Sequence, residues 1–176
     1  MFNPDFKSAK FIHVVLLLAV CGVLFFSHLG AFPFFNRGEP REALVVQDIV
    51  HNGNWLFPLK MGFGIPSKPP LFHWVGAVTS IVRGQVTEVT ARFPSALFAA
   101  LGVLLIYGLG QKMYKPNIGF LAGVVLATSL GYQQIAIAAR VDMTLTFFVS
   151  LSLVLFYLLY RDHLTRPVWT YVFFWF

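Results

Sequence analysis

Residues 11–32 read FIHVVLLLAVCGVLFFSHLGAF, an apolar run that contains no Asp, Glu, Lys or Arg. An α-helix needs about 20 mostly apolar residues to cross the roughly 30 Å of hydrocarbon in a bilayer. The run therefore predicts a membrane-spanning helix. Lys7 and Lys10 precede it as in a signal peptide, but it is longer than a signal core and no small-residue cleavage site follows. We expect an uncleaved signal anchor.

The composition extends this interpretation to the whole chain. Hydrophobic residues make up 57% and charged residues 11% of the 176 residues, against about 45–50% apolar usage in soluble domains. Further apolar runs lie at residues 93–110, 118–139 and 143–160, and another begins at residues 167–176, where the sequence stops. The sequence predicts an all-α, polytopic membrane bundle. Because it stops inside an apolar run, we expect the N-terminal portion of a longer protein.

Charge in the short loops predicts the orientation. Lys112 and Lys115 lie in one short loop, and Arg161 and Arg166 lie in another. Basic short loops favour the cytoplasmic side, which places the N-terminus inside and the long loop at residues 33–92 outside. That external loop is unusually basic, so we expect it to bind an anionic ligand. With no nucleic-acid signature, the net charge of +6 indicates membrane lipids and lipid phosphates as partners.

The external loop contains two predicted helices, at residues 40–52 and 70–83. Each range opens with a proline, whose missing N–H suits a first helical position. Each is followed by a glycine, Gly53 or Gly84, which suits the left-handed position after a helix. Apolar residues recur at helical spacing, so we expect both helices to lie in the plane of the membrane interface.

Lys68 lies directly before Pro69 and Pro70. A residue before proline is pushed away from the helical conformation, so we expect Lys68 to be extended beside the N-terminus of the second loop helix. The free backbone N–H groups and the positive dipole end there suit a phosphate, and the ammonium adds a full charge. The turn-rich segment between the two helices should bring Lys68 close to Glu39.

Four segments resemble, in order and at comparable spacing, the signatures of the GT-C superfamily of lipid-linked sugar transferases. They read GEPREALVVQDIVHNGNWLFP, SKPPLFHW, ARFPSALFAALGVLLIYGLG and ARVDMTLTFF and cover most of the chain. The most similar branch is the bacterial one of protein mannosyltransferases and lipid A aminoarabinose transferases. The resemblance implies an enzyme of the bacterial inner membrane. It would move a sugar from a polyprenyl-phosphate donor to a lipid, glycan or protein acceptor on the external, periplasmic face.

The resemblance also implies site residues. In the family, the first external loop carries an Asp-Glu pair with an arginine two residues later. Glu39 and Arg41 match the second acid and the arginine, whereas Gly38 stands where the first acid is usual. The family's Glu-Lys-Pro-Pro is Ser-Lys-Pro-Pro at residues 67–70, which removes a carboxylate that helps to hold a divalent metal in relatives. Whether a divalent metal binds at Glu39 stays open.

We assign catalytic roles to Glu39 and Asp142, since a carboxylate can take or orient the proton of the acceptor. The basic residues assigned to the donor phosphate are Lys68, Arg41, Arg140 and Arg92. Each residue also has a simpler interpretation. Glu39 and Asp142 can stabilise helix N-termini, and the basic side chains can anchor the chain at lipid headgroups.

Two other functions compete with transfer. A non-catalytic subunit or degenerate paralogue would keep the fold, and the acids missing at Gly38 and Ser67 favour it. A transporter of lipid-linked sugars should carry ionisable residues near the middle of the membrane. Here His13 and His28 lie near the ends of their span, which makes transport the weakest of the three.

Small residues recur at every fourth position of the third predicted span, at Gly119, Gly123, Ala127 and Gly131. This spacing predicts a surface for close helix packing. The histidines of the external loop, His51 and His73, lack the spacing of metal ligands, so we expect them to pack in the core or at the interface.

Overall fold

The computed structural model describes residues 4–34, 38–60, 64 and 68–161. The helices in this part of the chain are α1 (Pro4–Cys21) with a π-helical continuation (Gly22–Phe26), α2 (Gly38–Asn52), α3 (Leu71–Arg83), α4 (Glu88–Met113), α5 (Pro116–Thr128), α6 (Leu130–Ala136) and α7 (Asp142–Arg161). The predicted all-helical fold class is confirmed. The start of a fifth span, predicted at residues 167–176, lies outside the described residues.

Among the described residues, three helical segments are long and apolar enough to cross a membrane: Ala9–Phe26, Glu88–Met113 and Asp142–Arg161. They correspond to the first, second and fourth predicted spans. The second begins at Glu88 and not at residue 93, because Thr87 and Thr90 form a reciprocal cap. The Thr87 hydroxyl accepts from the Thr90 N–H at 3.4 Å, and the Thr90 hydroxyl accepts from the Thr87 N–H at 2.9 Å. Because these residues are polar, the first turns of α4 were not part of the predicted apolar run.

The third predicted span is not one continuous helix. It is broken at Ser129 into α5 and α6, whose axes differ by 67°. Polar side chains bond the carbonyl groups near the break: Gln133 Nε2 donates to the Ala127 carbonyl at 3.1 Å, and Ser129 Oγ donates to the Val125 carbonyl at 2.9 Å. A helix break at membrane depth is tolerated when side chains satisfy the released backbone groups in this way. Where the sequence predicts one span over residues 118–139, the structure has a bent pair of helices, which together are apolar and long enough to form one broken span.

The close-packing surface exists along α5 but ends at the break. A Cβ atom on Gly119 would lie 2.6 Å from the Tyr107 carbonyl oxygen, and one on Gly110 would lie 2.6 Å from the Gly119 Cα. A Cβ atom on Gly123 would lie less closely, 3.1 Å from the nearest methyl carbon of Leu17. By contrast, a Cβ atom on Gly131 would meet nothing within 4 Å. Because the chain turns at Ser129, the last of the four small residues leaves the packed surface.

Hydrogen bonds between distant elements define one end of the bundle. The Tyr107 hydroxyl donates to the Lys10 carbonyl at 3.5 Å, and Arg161 Nη1 donates to the Lys112 carbonyl at 2.9 Å. The N-terminal segment, the turn between α4 and α5 and the end of α7 therefore meet at one end. This arrangement agrees with spans that alternate in direction. The helices α2 and α3 and the turn between α6 and α7 lie at the opposite end.

Both loop helices end where the sequence predicts. Gly53 and Gly84 have φ values of 69° and 81°, the left-handed conformation that glycine adopts without steric cost. The α2 helix begins at Gly38 and not at Pro40. Its Asp48 carboxylate holds the following loop, because it accepts from Asn54 Nδ2 at 3.0 Å and from the Leu59 N–H at 2.7 Å.

The outer surface of α3 is apolar and exposed. Val78, Ile81 and Val82 lie on this surface, and Val82 is 84% exposed. The opposite face of α3 is buried against α2 and α4, where Gly76 and Ala77 allow close approach. An amphipathic helix with one exposed apolar face is typical of the membrane interface. The exposed apolar face of α3 therefore supports its predicted interfacial position.

The contact between α4 and α5 generates the first testable prediction. Gly119→Ala should destabilise the protein by about 1–3 kcal/mol, because the added methyl group meets backbone atoms that cannot yield without moving a helix. Gly108→Ala is the matched control: it lies in α4 where nothing is within 4 Å of the added atom, and it should be neutral or slightly stabilising. Thermal unfolding in detergent measures both. Equal unfolding midpoints for the two variants would contradict the close approach.

Candidate functional site

The end of the bundle that carries α2 and α3 contains a buried ion pair. Arg92 Nε donates to Glu39 Oε1 at 2.8 Å, and Arg92 Nη2 donates to Glu39 Oε2 at 3.1 Å. The exposed fractions are only 3% for Glu39 and 5% for Arg92. A two-point pair between guanidinium and carboxylate is among the stronger hydrogen-bonded contacts, so it fixes α2 against α4.

The remaining N–H groups of Arg92 bind the end of the first span. Nη1 donates to the carbonyl groups of Leu29 and Phe32, each at 2.8 Å, and Nη2 donates to the Pro33 carbonyl at 3.2 Å. A guanidinium has five N–H groups, and all five are used in these contacts. The donor-phosphate role expected of Arg92 does not fit this geometry, which gives the residue a structural role.

Glu39 also holds the turn between α6 and α7. Its Oε1 accepts from the Ala139 N–H at 2.9 Å. The next residue of that turn, Arg140, is held by Ser95, whose hydroxyl donates to the Arg140 carbonyl at 3.0 Å. The single carboxylate of Glu39 therefore connects the external loop, the second span and this turn.

These contacts change the expectation for Glu39. A carboxylate whose two oxygens already accept from Arg92 and Ala139 is poorly placed to take a proton from an acceptor or to hold a metal ion. Within the described residues, no three His, Cys, Asp or Glu side chains are grouped so that they could hold a metal, and Gly38 offers no carboxylate. The donor set at Glu39 does not fit a divalent metal.

A second cluster lies one helical turn further along α2. Lys68 Nζ donates to Glu42 Oε1 at 3.1 Å, and the other oxygen of Glu42 lies 2.7 Å from His73 Nε2. The sequence interpretation placed Lys68 beside Glu39, but its partner is Glu42, because Glu39 is bound to Arg92. The Lys68 side chain is 38% exposed, whereas that of Glu42 is 10% exposed. The cluster therefore opens to the surface on the lysine side.

Glu42 is ionised at neutral pH. Burial acts to raise the pKa of its carboxyl, but the hydrogen bonds from His73 and Lys68 and the charge of Lys68 outweigh burial and hold the pKa below its ordinary value. The ion pair therefore stabilises the fold above the ordinary pKa of Glu. This contribution is lost as the pH falls through the lowered folded-state value.

Sequence analysis missed Glu42 and the polar role of His73. His73 is fully buried, as a packing histidine would be, but it is bonded to a carboxylate. The available signal was the spacing of Glu39 and Glu42, since residues three apart lie on the same face of a helix. Two acids on one face of α2 required two cationic or hydrogen-bonding partners in the folded loop.

The remaining candidates lie at the surface. Arg140 Nε is 2.7 Å from Asp142 Oδ2, and their side chains are 45% and 40% exposed. Arg41 is exposed on α2. Asp142 is also the first residue of α7, so its position agrees with both the catalytic and the helix-end interpretation. Lys68, Arg41 and Arg140 are accessible basic residues at this end of the bundle.

A cleft of about 500 Å³ lies between α2 and the turn that joins α3 to α4. Its polar lining includes Gln47, His51 and Glu88. None of the site residues predicted from sequence lines it, so the cleft is separate from the charged clusters.

Comparisons with known proteins identify relatives of the chain. The family model described as dolichyl-phosphate-mannose-protein mannosyltransferase matches residues 67–176. The undecaprenyl phosphate-alpha-4-amino-4-deoxy-L-arabinose arabinosyl transferase of Pseudomonas savastanoi pv. phaseolicola is 31% identical over 160 residues, which are 89% of this chain and 30% of that protein. A second transferase of this name, from Pseudomonas fluorescens, is 31% identical over 79% of the chain and 25% of its own length. The chain thus spans about a quarter to a third of these curated relatives.

Solved structures agree with the sequence relatives. The crystal structure of ArnT from Cupriavidus metallidurans bound to undecaprenyl phosphate superposes with a TM-score of 0.74 at 26% identity. The same ArnT in the apo state gives the same TM-score. The match covers 80% of this chain and 26% of that protein. The likeness shows the GT-C fold in the portion that the chain represents.

The buried ion pair generates the second prediction. Glu39→Gln should lower the free energy of unfolding by about 3–5 kcal/mol, because it leaves the charge of Arg92 buried without a counter-ion. From sequence alone, the same change would reduce turnover and leave stability unaltered. Thermal unfolding in detergent distinguishes the two expectations. Glu88→Gln, which removes a less buried acid from the first turn of α4, serves as the control and should cost no more than about 1 kcal/mol.

Proposed function

Because the chain belongs to the dolichyl-phosphate-mannose-protein mannosyltransferase family, we propose that it forms the donor-binding end of a membrane glycosyltransferase. The donor is a sugar carried on polyprenyl phosphate. The observation that carries the proposal is the Lys68 ammonium, partly exposed and held 3.1 Å from Glu42 beside the start of α3. Its partial exposure leaves the ammonium able to reach a phosphate.

The surroundings of Lys68 support phosphate binding. Pro70 precedes α3, and its carbonyl accepts the first helical hydrogen bond, from the Trp74 N–H at 2.9 Å. The N–H groups of a first helical turn have no partner within the helix, and the helix dipole is positive at this end. A phosphate beside Lys68 would meet both. Arg140, held in place through Ser95, and Arg41 provide further positive charge at the same end of the bundle.

The main requirement of the proposed reaction is positive charge beside the leaving phosphate. The acceptor oxygen attacks the anomeric carbon, the bond from that carbon to the phosphate oxygen breaks, and polyprenyl phosphate leaves. Negative charge grows on the leaving phosphate, so cations that are already in place lower the barrier. The polyprenyl tail stays in the bilayer beside the apolar spans, which explains a site at the end of a membrane bundle.

We place this end of the bundle on the periplasmic face of the inner membrane. The turn between α4 and α5, with Lys112 and Lys115, and the end of α7, with Arg161, lie at the opposite end of the bundle. Basic short loops favour the cytoplasm. The relatives named above are bacterial transferases named for undecaprenyl phosphate, which supports a donor site at a face of a bacterial membrane.

A protein that binds the donor without transferring the sugar is the second candidate. The buried ion pair of Glu39 favours it, because the one acid of the loop motif that this chain keeps is not available for chemistry, and Gly38 replaces the other. Donor binding and sugar transfer must therefore be measured separately in the full-length protein.

The third prediction tests the donor site. Lys68→Ala in the full-length protein should weaken binding of polyprenyl phosphate by about 1.5–3 kcal/mol, because one hydrogen bond between charged groups is lost. Lys68→Arg should retain part of the binding. Lys115→Ala, at the other end of the bundle, is the control for loss of a basic residue. Unchanged affinity of Lys68→Ala for polyprenyl phosphate would contradict a donor-phosphate role and leave Lys68 as an anchor at lipid headgroups.

The fourth prediction tests the orientation. Gln85 is exposed in the turn between α3 and α4, and Asn117 is exposed at the start of α5. A membrane-impermeant thiol reagent added to spheroplasts should label Gln85→Cys and should not label Asn117→Cys until the membrane is permeabilised. Cys21 is buried in the first span and should give little background. The reverse labelling pattern would place the proposed site in the cytoplasm and exclude a periplasmic reaction.

A further inference from the structure

We propose that Glu42, held from behind by His73, is the carboxylate that takes the proton of the acceptor, and that Lys68 blocks it until the donor binds. This inference rests on the proposed function and adds a catalytic residue to it. It departs from the family's motif, which has its first acid at position 38. Positions 38 and 42 of α2 are four residues apart and lie on the same helix face. Glu42 thus offers a carboxylate on the face where Gly38 has none.

The two oxygens of Glu42 have different partners. Oε2 is bonded to His73 Nε2 at 2.7 Å, and the His73 side chain is 0% exposed. Oε1 is bonded to Lys68, which is 38% exposed. The inner oxygen, Oε2, is therefore held by a buried partner. The outer oxygen, Oε1, is bonded to a partly exposed lysine side chain that can turn away.

His73 is suited to a permanent donor to Glu42. Its ring packs perpendicular to that of Phe72, with 5.4 Å between the ring centres. Within the described residues, His73 Nδ1 is buried and has no hydrogen-bond partner. Because a buried N–H without an acceptor is costly, this arrangement favours the tautomer that carries its hydrogen on Nε2. That hydrogen points to the Glu42 carboxylate.

Donor binding would release the outer oxygen. When the phosphate of the donor reaches Lys68, the ammonium turns from the carboxylate to the phosphate, and Glu42 loses its nearby cation. A carboxylate without that cation binds a proton more strongly, so it becomes a better base only after the donor is in place. The other charges facing this part of α2, Glu39 and Arg92, are paired with each other and leave this balance unchanged.

The proton and the electron pairs balance in this step. The acceptor hydroxyl transfers its proton to Glu42 Oε1 as its oxygen forms the bond to the anomeric carbon. The bond from that carbon to the phosphate oxygen breaks, and its electron pair leaves on the polyprenyl phosphate beside Lys68. Glu42 then returns the proton to water, and Lys68 returns to Glu42 once the polyprenyl phosphate departs.

The experiment uses the full-length protein and measures two quantities, binding of undecaprenyl phosphate and sugar transfer at saturating donor. Glu42→Gln should bind undecaprenyl phosphate at least as tightly as the wild type, because Lys68 no longer has a competing carboxylate. Its kcat should fall by at least about a hundredfold, the scale of a lost general base. Glu42→Asp should recover part of kcat. Glu88→Gln, outside both charged clusters, should leave binding and kcat unchanged.

The outcomes separate the possible failures. If Glu42→Gln weakens undecaprenyl-phosphate binding and keeps kcat near the wild-type value, Glu42 merely positions Lys68 and the inference is overturned while the proposed function stands. If the wild type binds undecaprenyl phosphate but transfers no sugar, the donor-binding alternative holds and Glu42 has no catalytic role. If the wild type neither binds nor transfers, the proposed function fails and the inference fails with it.

The pH dependence of the wild type gives a test that needs no variant. The acid limb of kcat/KM for the donor reports the free enzyme, and that of kcat reports the enzyme with donor bound. The departure of Lys68 should place the acid limb of kcat at higher pH than that of kcat/KM. Coincident limbs would overturn the blocking role of Lys68.

Discussion

The ion pair between Glu39 and Arg92 is the contact on which the charged end of this bundle depends. Burying two charges costs several kcal/mol for each ion unless every polar atom finds a partner. Here the guanidinium fills its five N–H positions with the carboxylate and three backbone carbonyl groups, and the carboxylate also accepts from the turn before α7. Removing Arg92 would take a donor from Glu39 and from the carbonyl groups of residues 29–33, and removing Glu39 would take an acceptor from Arg92 and from the Ala139 N–H. The pair therefore sets the position of the external loop relative to the spans.

That placement determines which acid is available for chemistry. With Glu39 fixed against α4, the next acid on the same face of α2 lies against the start of α3, where Lys68 and His73 meet it. The two neighbouring carboxylates of the loop therefore differ. Glu39 is enclosed and accepts hydrogen bonds at both oxygens, whereas Glu42 is bonded to the partly exposed Lys68. The acid that matches the family motif by position, Glu39, is the enclosed one, and both of its oxygens accept hydrogen bonds from within the fold.

Apolar run length and glycine positions were sufficient to predict most of the fold. Runs without charge indicated the spans, and Gly53 and Gly84 marked the ends of both loop helices because few other residues adopt a left-handed backbone. The break at Ser129 was missed because the polar residues around it were counted within one apolar run, whereas the side chains of Ser129 and Gln133 bond backbone carbonyl groups at the break. The partner of Lys68 was missed for another reason. Pairing between residues 26 positions apart depends on which acid Arg92 has already taken, and local patterns carry no information about that competition.

The close contact between α4 and α5 bears on how the chain enters the membrane. The α5 helix has only 13 residues, and at 1.5 Å per residue it is too short to cross about 30 Å of hydrocarbon by itself. Gly110 and Gly119 bring its backbone against that of α4 directly after the turn that joins them. The two helices can therefore leave the insertion machinery as one hairpin, with the long helix carrying the short, bent one into the bilayer. The glycine contact would then favour insertion of the two helices as a unit.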